Sequence, residues 1–559
     1  MLAPACKKEL GPQFEMTRYN APDQRFESVC MLRFSGIPVP RPKRLSHSAC
    51  LLFLTAVYAA TSPAPRELLL RLQQIVEQGD LDSAHNELES AIAAFSDEPV
   101  LYNLQGVVAA QQSDYAAAES NFKKALERAP NFVGALLNLG RLYQENAGKD
   151  PDALRKGLAV YEKILRYEPG NAEALYQSAL LLELRGSFQA SLERLKRLPG
   201  EARSRPQALA VICADYAGLG RSPAAFEATD ELLRTPELRE SDVLIALPVV
   251  EAHDETLAIK LLEGLDQRKL ASGAQLARLG VLYGHAGQST RARETLERAV
   301  RDGAPAVDTL SELARIAYQQ QDRQGALGYL AHARDLDPSR AAVHYFFGMV
   351  CVEMNLPLEA RKSLDEAVRL DPENAYYNYA LGTVAMQGPN PGEAVPHFEK
   401  YIQRKPDDPQ GRFALGAAYF HTGNYDAARK ELGAVADRKE TIAGAHYFLG
   451  RIAKQEEDLT TAESELQQAV ARNPKFADAL AELAHVHIRL QQYEKARREL
   501  ERAAALDPES FRVNANLLIL YQRTKDPRAN AQQARFEDIK KKRSEYEQLL
   551  WRTIEIRPY

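Results

Sequence analysis

His485 and His487 form the only closely spaced pair among the chain's 11 histidines, in the segment AHVHIRL. Paired imidazoles can bind zinc or pass protons, so this is the first place to look for chemistry. The surrounding pattern is helical, and side chains two residues apart on a helix point about 200° away from each other. One metal ion cannot contact both rings, so the pair predicts no metal centre.

Other residue types that support catalysis also lack the spacing that catalysis needs. The segment AGKD (Ala147–Asp150) contains no first glycine at the distance that a phosphate-binding loop requires. The paired acids Glu456-Glu457 fall on a predicted solvent-facing turn. The chain contains no HExxH, GxSxG or GxGxxG motif. We therefore expect no catalytic residues, no cofactor and no enzyme activity.

Cysteines indicate neither a zinc site nor a disulfide framework. Three of the five lie within the first 59 residues, which leaves Cys213 and Cys351. No CxxC or Cys/His metal spacing is present. Each of the two remaining cysteines falls on an apolar helical position, where a small buried hydrophobic side chain is the default interpretation.

An internal repeat of 34 residues dominates the chain. One column of the repeat consists of small residues. It holds Ala314 and Ala484 in two units and glycine in the others that keep the pattern. The glycines that stand in this column are Gly106, Gly140, Gly280, Gly348, Gly382, Gly416 and Gly450. Twelve residues further on stands an alanine column: Ala292, Ala326, Ala360, Ala394, Ala428, Ala462 and Ala496. Seven units follow one another without a slip over residues 273–510.

Two further columns complete the pattern. Leucine or phenylalanine recurs four residues after the alanine, at 296, 330, 364, 398, 432, 466 and 500. Most units close with a proline, which cannot continue a helical hydrogen-bond ladder. The columns predict two antiparallel helices per unit, with the small residues allowing the two backbones to approach closely. The Leu/Phe column is expected to fill the layer between neighbouring hairpins.

These columns resemble the tetratricopeptide repeat (TPR) family. ALLNLGRLY (Ala135–Tyr143) and RFALGAAYFHTGNYDAARKEL (Arg412–Leu432) are similar to its consensus. The resemblance implies an all-α fold: a right-handed α-solenoid of about 13 helix-turn-helix units with a C-terminal capping helix. Such a chain is a scaffold for binding and not an enzyme.

The repeat frame divides the chain into segments. Residues 60–238 form an N-terminal TPR block, followed by a degenerate unit at 239–272 with Pro248 inside its first helix, where a kink is expected. The regular block at 273–510 precedes C-terminal solvating helices at 511–559. The tail carries Trp551 and an apolar stripe, which fits either a cap on the last hairpin or a detachable helix that docks elsewhere.

The family resemblance also implies where a ligand would bind. In TPR proteins the first helices line a concave groove through their second, fifth, ninth and twelfth residues. The residues at such positions that we predict as a peptide groove are Tyr345, Tyr376, Tyr379, Phe413, Tyr447 and Arg451. Aromatic rings are enriched at interface hot spots. The alternative is that these rings pack against the neighbouring helix.

Charge argues against nucleic acid as a partner. Residues 1–59 and 523–559 each carry +4, while residues 60–522 carry about −13. A body this acidic repels phosphates. The expected partner is therefore a protein or peptide, which binds in the groove. A structural or self-assembling component of a bacterial envelope complex is the alternative, and a cryptic enzyme is a more remote one. The pattern specifies neither the partner nor the oligomeric state.

The N-terminus resembles an export signal. Arg41, Lys43 and Arg44 precede the apolar run ACLLFLTAVYAA (Ala49–Ala60) and the helix-breaking TSPAP. A basic stretch, a 7–15-residue apolar core and small residues at the exit are typical of a signal peptide, and the run is too short to span a bilayer. We predict a leader at 1–59 and a periplasmic or secreted protein, which would be cytoplasmic if the leader is not a signal peptide. Residues 1–30 fit either an over-extended start or a disordered extension.

Protein isolated from its native cells is expected to begin near Ala60, because Val57-Tyr58-Ala59 supplies small residues for cleavage after the apolar run. N-terminal sequencing measures this directly. A cytoplasmic product that retains Met1 or Met31 would contradict export.

Overall fold

The computed structural model describes residues 64–148, 150–303, 305–439 and 442–555, with side chains as far as residue 542. The predicted leader at 1–59 lies outside these residues. Within them the secondary structure is helical, without strands. The chain divides into two compact units at Thr309–Leu310.

The first unit is built from fifteen described helices. They are α1 Arg66–Gln78, α2 Leu81–Ala94, α3 Pro99–Gln111, α4 Tyr115–Arg128, α5 Val133–Glu145, α6 Ala153–Tyr167, α7 Ala172–Leu184, α8 Phe188–Lys196, α9 Gly200–Arg203, α10 Pro206–Gly218, α11 Ser222–Arg234, α12 Glu240–His253, α13 Glu255–Gln267, α14 Gly273–His285 and α15 Ser289–Arg301.

The second unit continues the alternation, beginning within α16. Its helices are α16 Val307–Gln319, α17 Arg323–Leu336, α18 Ala341–Glu353, α19 Pro357–Leu370, α20 Ala375–Gln387, α21 Ala394–Arg404, α22 Pro409–His421, α23 Tyr425–Gly433, α24 Ile442–Gln455, α25 Leu459–Arg472, α26 Ala477–Arg489, α27 Tyr493–Leu506, α28 Phe511–Arg523 and α29 Ala529–Glu555. A single 3-10 turn, Pro391–Glu393, precedes α21.

The helix bounds follow the 34-residue frame. The first helices α18, α20, α22, α26 and α28 begin at residues 341, 375, 409, 477 and 511, and α24 begins one residue early, at 442. Within each unit, most first helices pack on the second helix that follows, and most second helices pack on the next first helix, as α18, α19 and α20 do. The predicted all-α repeat fold is confirmed.

The turn inside many hairpins has a common construction. One residue with positive φ reverses the chain, and the next residue is an Asp or Asn whose side chain accepts a hydrogen bond from the backbone N–H three residues on. The residue pairs that do this are Gly79-Asp80, Ser113-Asp114, Gln321-Asp322, Gly423-Asn424 and Glu457-Asp458. This cap satisfies a backbone donor that the start of the second helix would otherwise leave unpaired.

The glycine column holds the helices of each hairpin together. A Cβ atom on Gly348 would lie 2.7 Å from Leu364 Cγ and 3.2 Å from the carbonyl oxygen of Ala360. The other six glycines of the column meet the Leu, Phe or Tyr of their own second helix in the same way. The Leu/Phe column therefore packs into its own hairpin, at the place where the glycine has no side chain, as well as on the next hairpin.

The alanine column lies one turn before the Leu/Phe column, on the same face of the second helix. All seven alanines of the column are fully buried, and the Leu/Phe residues four positions later are at most 2% exposed. Small and large side chains thus alternate across one seam, which is how close-packed interiors fill space.

Three departures from the regular hairpin lie between α5 and residue 272. Seven residues separate α5 from α6, which matches the longer turn predicted for ENAGKDPDAL. Helix α8 is only 9 residues long and is followed by the one-turn helix α9. Helix α12 runs through Pro248 without interruption.

The start of α29 packs on α28, the helix that follows the last regular hairpin. Gln532 Nε2 donates to the backbone oxygen of Asn514, at 3.1 Å, and to its side-chain oxygen, at 3.0 Å. The ring of Phe536 lies 4.9 Å from that of Phe511, and Ile539 is buried. The side chain of Trp551 lies outside the described residues.

Two glycine-to-alanine substitutions should change stability in opposite directions. Gly348→Ala places a methyl group against Leu364 and a backbone carbonyl, so the free energy of unfolding should fall by about 1–3 kcal/mol. Gly328 lies inside α17 with open space around it, so Gly328→Ala should raise that free energy by about 0.5–1 kcal/mol. Thermal and urea denaturation of both variants measures this, and equal shifts would contradict the packing role of the column.

Candidate functional site

Four first helices of the second unit, α18, α20, α22 and α24, carry the predicted aromatic column. Tyr345, Tyr379, Phe413 and Tyr447 occupy the fifth position of successive repeats, 34 residues apart. Neighbouring first helices contact one another directly. The repeat register therefore places the four residues along one face of the unit.

The first two rings of the column rest on neighbouring tyrosines. The ring of Tyr345 lies 4.9 Å from that of Tyr377, tilted by 33°, so it packs against the following first helix. Tyr379 lies 4.8 Å from Tyr401 on the second helix of its own hairpin. Both Tyr345 and Tyr379 keep part of their surface in solvent. They can therefore contact a ligand with one side while packing with the other.

Phe413 is accommodated by a small residue on the next first helix. A Cβ on Gly444 would lie 2.7 Å from the Phe413 ring, so the ring lies directly over this glycine. It also lies 5.9 Å from the ring of Phe448. Phe413 remains half-buried, with a free outer side.

Tyr447 differs from the other members of the column because it is buried. Only 6% of its surface is exposed, and its ring lies 4.9 Å from that of Phe476. Its hydroxyl accepts a hydrogen bond from Arg512, a residue of α28, 65 positions along the chain. Burial raises the pKa of Tyr447 to about 12. The ring is a packing residue in this structure.

Tyr376, at a second position of the repeat, is the most accessible ring of the predicted set. It is 41% exposed; its ring centroid lies 6.5 Å from that of Tyr401, and the Lys405 ammonium lies 5.5 Å from the Tyr376 centroid. Partly buried Met349 and Met386 lie on the same first helices. We call Tyr345, Tyr376, Tyr379 and Phe413, with these two methionines, the aromatic face. Flexible methionines beside rigid rings suit an adaptable apolar contact.

A group of charged side chains lies next to the aromatic face, on α24, α26 and α28. Glu482 is 5% exposed and accepts from Lys454, while Arg512 Nη1 lies 3.0 Å from Oε1 and Arg451 Nε 3.7 Å from it. Burial alone would raise the pKa of Glu482, but the three cations outweigh it and lower that pKa. Asp478 lies 3.6 Å from Arg512.

We call Arg451, Lys454 and Arg512 the basic cluster, since its three cations face two carboxylates. Of its members, only Arg451 belongs to the set predicted from the sequence. The guanidinium of Arg451 also lies 4.5 Å from the centroid of the Phe420 ring. Lys454 and Arg512 occupy the twelfth and second positions of their repeats. Both are groove-facing positions in the family, so the repeat register could have identified these two residues from the sequence.

The two histidines of the pair, His485 and His487, lie in different environments. His487 is buried, with Nδ1 2.7 Å from Glu499 and Nε2 3.1 Å from Glu463. Burial alone would lower the pKa of His487, but the two carboxylates outweigh it and raise that pKa. His485 instead contacts Asn516, and burial lowers its pKa. The two rings do not converge on one point.

Two general features of the described residues limit what the site can do. Groups of three or more His, Cys, Asp or Glu side chains arranged to hold a metal ion are not found among them. None of the described helices is both long and apolar enough to cross a lipid bilayer. The arrangement at the aromatic face is one of apolar and ionic contact surfaces.

Helix hairpins stacked at a 34-residue period, with the small-residue seam, define an α-solenoid of the repeat class. Family models described as tetratricopeptide repeat match residues 76–131, 104–156, 278–341, 348–409, 386–447 and 453–518, more than half of the chain. The chain therefore belongs to the tetratricopeptide repeat family. Its general function is that of a scaffold for protein–protein interaction.

Solved structures with similar folds include proteins of diverse roles. PilW, described as a type IV pilus biogenesis factor, is 18% identical over 38% of this chain and 98% of its own, with a TM-score of 0.34. The APC/C hetero-tetramer Cut9-Hcn1 is 14% identical over 83% and 97%, with a TM-score of 0.36. A tetratricopeptide repeat protein from Parabacteroides merdae is 15% identical over 44% and 98%, with a TM-score of 0.34. No curated protein sequence matches the chain.

Alanine substitution should destabilise the protein much more at a buried ring than at an exposed one. Tyr447→Ala removes a buried ring and the acceptor of Arg512, so the free energy of unfolding should fall by about 3–5 kcal/mol. Tyr376→Ala should cost less than about 1 kcal/mol, because 41% of Tyr376 is already exposed to solvent. The two thermal midpoints measure the difference. A loss at Tyr376 as large as that at Tyr447 would contradict the assignment of Tyr376 as an accessible ring.

Proposed function

We propose that this chain is an exported bacterial scaffold that binds a segment of another protein along the aromatic face of its second unit, without catalysing a reaction. The observation that carries this proposal is the exposed Tyr376 ring, 41% accessible, which lies one helical turn before Tyr379 in the row of partly exposed rings formed by Tyr345, Tyr379 and Phe413. A row of rings at repeat spacing offers an extended apolar contact. Aromatic side chains lose little conformational entropy when a ligand covers them.

The position of the rings favours an extended or helical segment as the ligand. Because the rings stand on successive first helices, a ligand that contacts all of them must run across several repeats. The packing of Tyr345 on Tyr377 and of Phe413 over Gly444 holds these rings in place before binding. Such pre-organisation reduces the ordering cost of association.

The basic cluster favours a ligand with negative charge near one end of the bound segment. The three cations of the cluster, Arg451, Lys454 and Arg512, face only two carboxylates, those of Asp478 and Glu482. One positive charge is left over beside an apolar surface. Complementary charge increases the association rate and fixes the direction in which a ligand lies.

Export supports a location in the periplasm or outside the cell. The support comes from the Arg41–Arg44 cluster and the apolar run at 49–60, which lie outside the described residues. Envelope extract is therefore the proper source for the partner. A photo-reactive phenylalanine analogue in place of Tyr376 would capture what covers the aromatic face.

Tyr376→Ala should weaken binding of the captured partner at least tenfold, because truncated hot-spot residues typically cost about 2 kcal/mol or more. Tyr167→Ala is the matched control, since Tyr167 is 50% exposed on α6 of the first unit and is not a member of the aromatic face, so its loss should leave affinity unchanged. Calorimetry on the full mature chain gives both affinities.

Equal affinities for the two variants would rule out the aromatic face as the binding surface. If the analogue at position 376 crosslinks only to further copies of the chain, and light scattering shows an ordered oligomer, the self-assembling alternative is correct instead.

A further inference from the structure

The first unit contains a buried carboxylate with no partner. Asp215, in the middle of α10, has no solvent-exposed surface. Neither of its carboxylate oxygens makes a hydrogen bond of ordinary geometry with the described residues; the hydroxyl of Ser191, on α8, is the polar group that comes nearest to doing so. An unpaired charge in such a place is costly, so the group is expected to remain protonated when packed.

A second acid lies close to the first. Glu183, near the end of α7, is 3% exposed. Burial raises the pKa of Glu183 to about 7. Burial also raises the pKa of Asp215 to about 8; the hydroxyl of Ser191 lowers it slightly, and the negative charge of Glu183 raises it further. Both values lie close to neutral pH.

The helices packed around Asp215 supply no compensating cation. Helix α10 contacts α7, α8, α9, α11 and α12. Charged side chains on or beside these helices pair elsewhere: Arg194 with Glu162, Lys260 with Asp230, Gln207 with Asp242 and Arg278 with Glu251. Glu201, Arg203, Glu227, Glu231 and Arg234 are exposed. The remaining charged and titratable groups of these helices also have other partners: Glu173 pairs with Arg141, Glu193 with Lys196, Glu240 with Ser272, and His253 with the carbonyl of Val249. Among the described residues, Glu183 is the one charged group that acts on Asp215.

Local construction makes this part of the unit the easiest to loosen. Helix α8 is short and is followed by the single turn α9, so less helix covers α10 here than in a regular hairpin. The segment that we expect to open consists of α7 to α10, residues 172–218. Sites of low packing density are where local opening occurs first.

We propose that Asp215 and Glu183 form a proton-dependent latch, which holds α7, α8 and α10 together when both acids are protonated and releases them into a hinge when both are ionised. The device regulates the first unit and is independent of binding at the aromatic face.

The direction of the pH effect follows from proton binding. Between the ordinary pKa of 3.8 and the raised pKa of about 8, Asp215 keeps its proton in the packed hairpin and loses it in the open one. The packed form then binds more protons, so opening becomes more favourable as pH rises through this window. One proton of difference corresponds to about a tenfold change in the opening constant per pH unit.

Hydrogen exchange on the full mature chain tests the latch. With rates corrected for the intrinsic effect of pH, the opening constant of residues 172–218 should rise at least tenfold between pH 6 and pH 8, while α20 to α27 serve as an internal reference. Asp215→Asn, which cannot ionise, should remove most of this rise. Glu227→Gln, an exposed acid on α11, is the matched control and should leave the rise intact.

An unchanged pH dependence in Asp215→Asn, or a wild-type opening constant that does not vary with pH, overturns the latch. If Asp215→Asn does not fold, Glu183→Gln provides the second test. It should remove the part of the rise that falls below about pH 7, and a pH dependence identical to that of the unmodified chain would again overturn the proposal.

Discussion

The close approach of two helices at a glycine is the contact on which the rest of this molecule depends. A single hairpin of 34 residues cannot bury both of its faces, so each must stack on the next. Stacking in turn requires hairpins of uniform thickness. The contact of Gly348 with Leu364, repeated at the other glycines of the column, sets that thickness. Ion pairs between hairpins, such as Arg429 with Glu456, are exposed and contribute little by comparison.

Much of the fold could be predicted because the same few contacts recur. The Gly, Ala and Leu/Phe columns predict the two-helix unit and its 34-residue spacing in the regular block, since the same packing contacts recur in every unit. The direction of a ring is harder to predict. Whether a fifth-position aromatic faces a ligand depends on a residue elsewhere: Gly444 lets Phe413 lie over the next helix, while Phe476 and Arg512 enclose Tyr447. Phe413 and Tyr447 occupy the same position of the repeat, so the sequence pattern does not distinguish them, although their surroundings in the structure differ.

The burial of polar residues in the interior could not be predicted from the sequence, for a related reason. An acid such as Asp215, on an otherwise apolar helix, is normally assigned to the surface. Its burial results from the way that α7, α8 and α10 converge, which the degenerate repeats from residue 172 onward do not reveal. The basic cluster is similar: Lys454, Glu482 and Arg512 come from three different repeats and meet only when those repeats stack.

The hydrogen bond from Arg512 to Tyr447 links helices two repeats apart. In most repeat arrays each unit communicates only with its immediate neighbours, so strain can be absorbed one unit at a time. Here α24 and α28 are tied across α26, and stretching or twisting any of the three must also break a partly buried polar contact. Under tension, the second unit should therefore yield first toward its N-terminal repeats, while the last three repeats move as a single stiff body.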